Sequence, residues 1–118
     1  MFKHIDTVII RVPDELEAAA WYGAALGLGE GRHDAQSRTV TFALEGPTSL
    51  TLWAGADDEE SSAGAGRSHP IFYAADALEA RRRLMQNGVR VGEIRGDSGF
   101  RWFRFSDPYG TVLEACSY

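Results

Sequence analysis

The chain has 118 residues, 44% of them hydrophobic and 25% charged, a composition that excludes intrinsic disorder and supports one globular core. Its formal net charge of −5 excludes a phosphate-tracking surface, because nucleic-acid affinity comes mainly from clustered Lys and Arg that displace counterions. The single cysteine, Cys116, leaves no internal disulfide, and Lys3, His4 and Asp6 precede only a short apolar run, so a cytoplasmic protein with no membrane or nucleic-acid partner is expected.

In chain order, Asp6 to Val12 alternates with β-branched residues and reads as a strand. Asp14, following Pro13, is a natural N-cap for a helix running to about Leu26, and the GLGEG at Gly27 to Gly31 stops that helix. Those glycines end a helix, where a phosphate cradle would have to begin one. A weaker strand is expected between Leu28 and Arg38, with His33 exposed in a turn-like setting. Thr39 to Leu44 and Ser49 to Ala54 read as strands joined by the turn Glu45-Gly46-Pro47-Thr48. The small, polar stretch 55–67, GADDEESSAGAGR, reads as a linker.

Beyond the linker the plan repeats. His69 to Ala74 is a predicted strand, Asp76 to Asn87 a helix closed by Gly88, and 89–95, Phe100 to Ser106 and Thr111 to Ser117 further strands. Arg81, Arg82 and Arg83 fall in that helix, where successive side chains diverge by about 100°, so they form a solvated face and not one basic patch. Asp107-Pro108-Tyr109-Gly110 is a strong turn. Thr7 to Ala18 aligns without gaps on His69 to Ala80 at an offset of 62, with Ile9, Asp14, Leu16, Glu17 and Ala18 recurring as Ile71, Asp76, Leu78, Glu79 and Ala80. Roughly one chance identity is expected in such a window, so five point to duplication of a strand-helix unit.

The segments VIIRVPD leading into AAAWYGAALGL, HPIFYAADALEARRRLMQNGV and FRFSDPYGTVLEA span nearly the whole chain. In them the sequence resembles the vicinal oxygen chelate superfamily of glyoxalases, bleomycin-resistance proteins and ring-cleaving dioxygenases. The resemblance implies an α+β fold in a single domain, 1–118: module one 1–54, linker 55–67 and module two 68–118. Two βαβββ modules would form a curved mixed sheet around a pocket, with helices on the convex face. Strand alternation then sorts the residues into two faces. Ile10, Val12, Leu50, Leu52, Phe72, Phe103, Phe105 and Leu113 are expected under the helices. Thr7, Ile9, Arg11, Thr51, Trp53, His69, Ile71, Tyr73, Trp102, Arg104, Val112, Glu114 and Cys116 are expected to face the cavity.

Enzymes of that superfamily hold one divalent metal, commonly Zn, Fe, Mn or Ni, on a His at the start of each module and a Glu on the final strand. The resemblance places the second His at His69 and the Glu at Glu114, whereas the first position is Thr7, and the remaining ligand position falls near Ser49 or Thr51. Hydroxyls are poor ligands beside imidazole and carboxylate. The expectation is therefore no tightly held cofactor, with His69 and Glu114 as an incomplete, weak divalent-metal pair. His4, three residues before Thr7, has the wrong parity for the cavity.

Thr7, Arg11, Thr51, Trp53, His69, Tyr73, Trp102, Arg104 and Glu114 form the candidate ligand-binding set. Its aromatic walls suit a conjugated ligand, and Arg11 and Arg104 suit a carboxylate or phosphonate. Cys116 lacks a cation or helix terminus that would activate a thiol, and it reads as a buried small residue. The leading reading is a metal-independent binder of a small aromatic or anionic molecule, assembled as the homodimer the resemblance implies. The alternative is a metal-dependent lyase, isomerase or dioxygenase using His69 and Glu114.

Overall fold

The computed structural model describes residues 1–55 and 69–118, so the expected linker at 55–67 lies, apart from Gly55, outside the described residues. The chain divides into two compact units, Met1–Asp58 and Glu59–Tyr118, each with its own mixed sheet and one helix.

Unit one runs β1 (Thr7–Arg11), α1 (Glu15–Ala25), β2 (Arg32–Asp34), β3 (Thr39–Ala43) and β4 (Ser49–Trp53), in sheet order β1-β4-β3-β2. β1 pairs with β4 in parallel, and the other pairings are antiparallel. The Asp14 carboxylate starts α1 by accepting hydrogen bonds from the backbone N–H groups of Leu16 and Glu17, both at 2.9 Å, which satisfies two donors that have no partner within the helix. Gly27 and Gly29, at φ of 69° and 76°, turn the chain out of the helix through the left-handed region that glycine tolerates. α1 packs on β3 and β4, and Ala18, Tyr22 and Ala25 are buried along with Ile10, Val40, Phe42, Leu50 and Leu52.

Unit two runs β5 (Ile71–Tyr73), α2 (Ala77–Gln86), β6 (Arg90–Val91), β7 (Arg95–Asp97), β8 (Phe100–Ser106) and β9 (Val112–Ser117). Its order is β5-β9-β8-β6, with β7 also paired to β8 and β5 parallel to β9. Asp76 caps α2 through the N–H of Glu79. In the turn before β9, the Asp107 carboxylate accepts from the N–H groups of Tyr109 and Thr111 at 2.9 and 2.8 Å, and Gly110 takes a φ of 88°. Phe103, Phe105, Leu113 and Ala115 form the buried face of this sheet together with Ala77 and Val89.

The single strand expected over 89–95 is two short strands separated by a bulge. Val91 pairs with Phe105 and Arg95 with Trp102, so Gly92, Glu93 and Ile94 lie opposite only Phe103 and Arg104. One extra residue shifts the register, and every side chain beyond it changes face. Elsewhere the faces follow the alternation. Seven of the eight residues expected under the helices are buried, and Phe72 is half-buried.

Candidate functional site

In unit two the non-helix face of the sheet carries a polar triad. Glu114 on β9 stands opposite Arg104 on β8 and Ile71 on β5, and His69 lies just before β5. His69 Nε2 is 3.3 Å from Glu114 Oε1, and Arg104 Nε donates to the same oxygen at 3.4 Å. The Glu114 side chain is only 10% exposed whereas that of Arg104 is 60% exposed. The carboxylate is thus shielded while its strongest partner reaches solvent, an arrangement that keeps a buried charge paired.

The next row across the same face is Tyr73 on β5, Cys116 on β9, Trp102 on β8 and Arg95 on β7, joined by strand register. The guanidinium carbons of Arg104 and Arg95 lie 5.5 and 5.8 Å from the Trp102 ring centroid, within cation–π range. Beside this row, Tyr118 packs against Tyr73 with centroids 5.0 Å apart and stacks on Phe100 at 6.1 Å. Burial, reinforced by the Glu114 charge, pushes the Cys116 thiol above its ordinary 9.0, so at neutral pH it is a protonated apolar filler and not a nucleophile.

Unit one answers with neutral groups on the corresponding face of its own sheet. Thr7 Oγ1 is 2.8 Å from Thr51 Oγ1 and accepts from the Ser49 hydroxyl at 2.8 Å, while Thr41 Oγ1 lies 3.3 Å from Thr51 Oγ1. Thr7 donates to the Ser49 carbonyl at 3.1 Å. Each hydroxyl has one proton and two lone pairs, so the single consistent assignment has Thr51 donating to Thr7 and Thr41 donating to Thr51. Arg11 lies over the Trp53 ring at 4.9 Å.

The nine candidate ligand-binding residues therefore fall into two sets. Thr7, Arg11, Thr51 and Trp53 share one face of the first sheet; Tyr73, Trp102, Arg104 and Glu114 share one face of the second, with His69 against Glu114. His4 is exposed. Arg95 was not among the nine, and it stands on this face only because of the bulge. A second cluster outside the set lies in unit one. There His33 is exposed, as expected, but sits in the short strand β2 and not in a turn, with Nε2 3.0 Å from Glu15 Oε2, and Arg38 Nε is 3.6 Å from Oε1. The hydrogen bond from His33, aided by the nearby backbone and Arg38, holds the Glu15 carboxyl below its ordinary 4.5. A recess of about 390 Å³ nearby, floored by Ala19, Ala20, Gly23 and Ala24 of α1, contains neither sheet-face triad.

Among the described residues the donors on these two faces do not complete a divalent-metal ligand set. Unit two offers one imidazole and one carboxylate whose Oε1 already takes Arg104, and Thr7 and Thr51 are mutually hydrogen-bonded hydroxyls. Among the described residues no three His, Cys, Asp or Glu side chains gather as a ligand set, whereas Zn, Fe, Mn and Ni sites ordinarily use three or more such donors.

The architecture defines the class: two strand-helix-strand units, each with a parallel pair formed by its first and last strands. The Glyoxalase/Bleomycin resistance protein/Dioxygenase superfamily matches over residues 4–115, and the chain belongs to it. Similar solved structures include a member of this superfamily from Sphaerobacter thermophilus (21% identity, TM-score 0.77, 99% of this chain and 98% of that one). Lactoylglutathione lyase from Agrobacterium tumefaciens is similar at 22% identity and TM-score 0.74, covering 99% and 95%. TnmS3, an antibiotic binding protein from Streptomyces sp. CB03234, is similar at 24% identity and TM-score 0.74, covering 97% and 94%. At these identities the likeness establishes the fold alone. No curated protein sequence matches the chain. Among the described residues no helix is long and apolar enough to cross a membrane.

Proposed function

We propose that this protein binds a small aromatic or anionic molecule without a resident metal. The observation that carries the reading is the engagement of Glu114: its Oε1 is shared by His69 and Arg104, so the carboxylate serves as a counter-charge that orients an imidazole and a guanidinium. Trp102 and Tyr73 on the same face supply flat apolar surface, and Arg104 supplies an exposed cation. This combination suits a conjugated acid. Superfamily membership is compatible with it, since one similar fold belongs to an antibiotic binding protein, as it is with catalysis, since others belong to a lyase and to the oxidase ChaP-H1.

The test is metal analysis of the purified protein combined with ligand titration in the presence and absence of EDTA. Less than about one-tenth equivalent of Zn, Fe, Mn and Ni after dialysis, with affinity insensitive to EDTA, is the expected result. His69→Ala should then lower affinity by about tenfold or less, the size of one lost hydrogen bond. Stoichiometric metal that disappears in His69→Ala together with a catalytic activity would replace this reading by that of a metal-dependent lyase, isomerase or dioxygenase.

A further inference from the structure

The β6–β7 bulge places an arginine where alternation would not. Had 89–95 continued as one strand, Arg95 would share the helix side with Val89 and Val91. The extra residue instead sets Arg95 opposite Trp102, on the face that also holds Arg104 and Glu114. We propose that Arg95 and Arg104, flanking the Trp102 indole, form an anion clamp that selects planar aromatic carboxylates; this rests on the binding reading above and specifies its ligand class.

Three observations support the clamp. Arg95 approaches Trp102 from the neighbouring strand and Arg104 from two residues along the same strand, with guanidinium carbons 5.8 and 5.5 Å from the ring centroid. Both cations thus lie within cation–π range of one indole, so a carboxylate reaching them is brought beside an aromatic ring. The charge balance is also uneven. Glu114 offsets Arg104 at 3.4 Å, but among the described residues no carboxylate stands within ion-pair range of Arg95. The nearest acidic residue on its own strand, Asp97, directs Oδ1 to the backbone N–H groups of Gly99 and Phe100. Among the described residues Glu114 is therefore the one carboxylate in ion-pair range of either guanidinium, and it engages Arg104, which leaves Arg95 to meet an incoming anion. Finally, the cation is mounted on a short paired strand beside a bulge, a device recurrently used to re-aim a side chain toward a site. A guanidinium there offers a planar two-donor fork to a carboxylate, which a lysine ammonium does not reproduce.

The test uses a matched pair of planar probes, 2-naphthoate and its neutral isostere 2-naphthamide, titrated by tryptophan fluorescence and by calorimetry. In the unmodified protein the carboxylate should bind at least about tenfold more tightly than the amide at low salt, and added salt should narrow the gap. Arg95→Gln should weaken naphthoate about tenfold while leaving naphthamide unchanged, and Arg95→Lys should fall between. Circular dichroism and melting temperature establish that these exposed-site variants remain folded. Equal affinity for the two probes in the unmodified protein, or an unchanged ratio in Arg95→Gln, overturns the clamp while the binding reading survives. Binding of neither probe overturns both. Binding that requires an added divalent ion overturns the metal-free reading alone, and the ratio in Arg95→Gln still decides the clamp.

Discussion

The two units solve the same geometric problem with opposite chemistry. Strand register makes their triads equivalent: Thr51 lies opposite Ile9 and Thr41 in the first sheet, as Glu114 lies opposite Ile71 and Arg104 in the second. Thr7 and His69 each precede those partner residues by two. The Thr7–Thr51–Thr41 contacts at 2.8 and 3.3 Å thus correspond to the His69–Glu114–Arg104 contacts at 3.3 and 3.4 Å. One duplicated frame holds a closed set of neutral hydroxyls in one unit and a charged, partly exposed set in the other. The first satisfies itself; the second presents an exposed guanidinium and an imidazole to whatever arrives. The helices differ in the same sense, since α1 buries Glu15, Ala18, Tyr22 and Ala25 whereas α2 buries only Ala77. Unit one is built more for packing, and unit two more for exposed polar chemistry.

The largest expected effect probes that asymmetry in packing. Tyr22→Ala empties a fully buried position under α1 and should cost roughly 3–5 kcal/mol in urea denaturation, by lost transfer energy plus the cavity left behind. Leu84→Ala, at a half-buried position on α2, should cost roughly 1–2 kcal/mol. Equal losses would erase the distinction between the helices.

The triads come next. Glu114→Gln keeps shape but removes the charge shared by His69 and Arg104, and it should cost about 1–2 kcal/mol, a value reduced by solvent around the exposed Arg104. Thr51→Val should cost about 1 kcal/mol or less, because it removes only neutral hydrogen bonds. The two are separable by ionic strength: the Glu114 effect should shrink with salt and the Thr51 effect should not. Smaller still is the capping contrast. Asp14→Ala should cost about 1 kcal/mol, and Asp76→Ala less, since Asp14 satisfies two helical N–H groups and Asp76 one.

How much of this was legible depends on the range of the signal. The helices were bounded by Asp caps and terminal glycines, which act within a few residues, and both appear where those residues place them. His69 and Glu114 were paired through the resemblance to the superfamily, which implies a His at the start of the second module and a Glu on the final strand; strand alternation put both on one face. The failures are non-local. Nothing in 89–95 announces that Gly92 to Ile94 carry one residue too many for Phe103 and Arg104 to match, so Arg95 could not be assigned to the face of Trp102 without the pairing itself. The Glu15–His33 contact joins residues 18 apart, and its partners come from a helix start and from a strand only three residues long. The correspondence of the triads likewise needed register. A list of positions shows Thr51 and Glu114 as unrelated residues on different strands.

The Glu15–His33–Arg38 cluster provides the smallest predicted effect and one specific to unit one. The Glu15 carboxyl is held below its ordinary 4.5, first by the His33 hydrogen bond, then by the backbone around it and by Arg38. A carboxylate whose pKa is depressed on folding binds its proton more readily in the unfolded chain, so stability rises with pH between the folded and unfolded values. The contribution should be fully present above about pH 4.5 and lost as pH falls through the lower folded value. Glu15→Gln removes the titrating group. The variant's melting temperature should therefore fall less steeply than that of the unmodified protein on going below pH 4.5. An identical acid limb in both would mean that the contact contributes nothing in solution, and that the attachment of β2 to the start of α1 rests on packing alone.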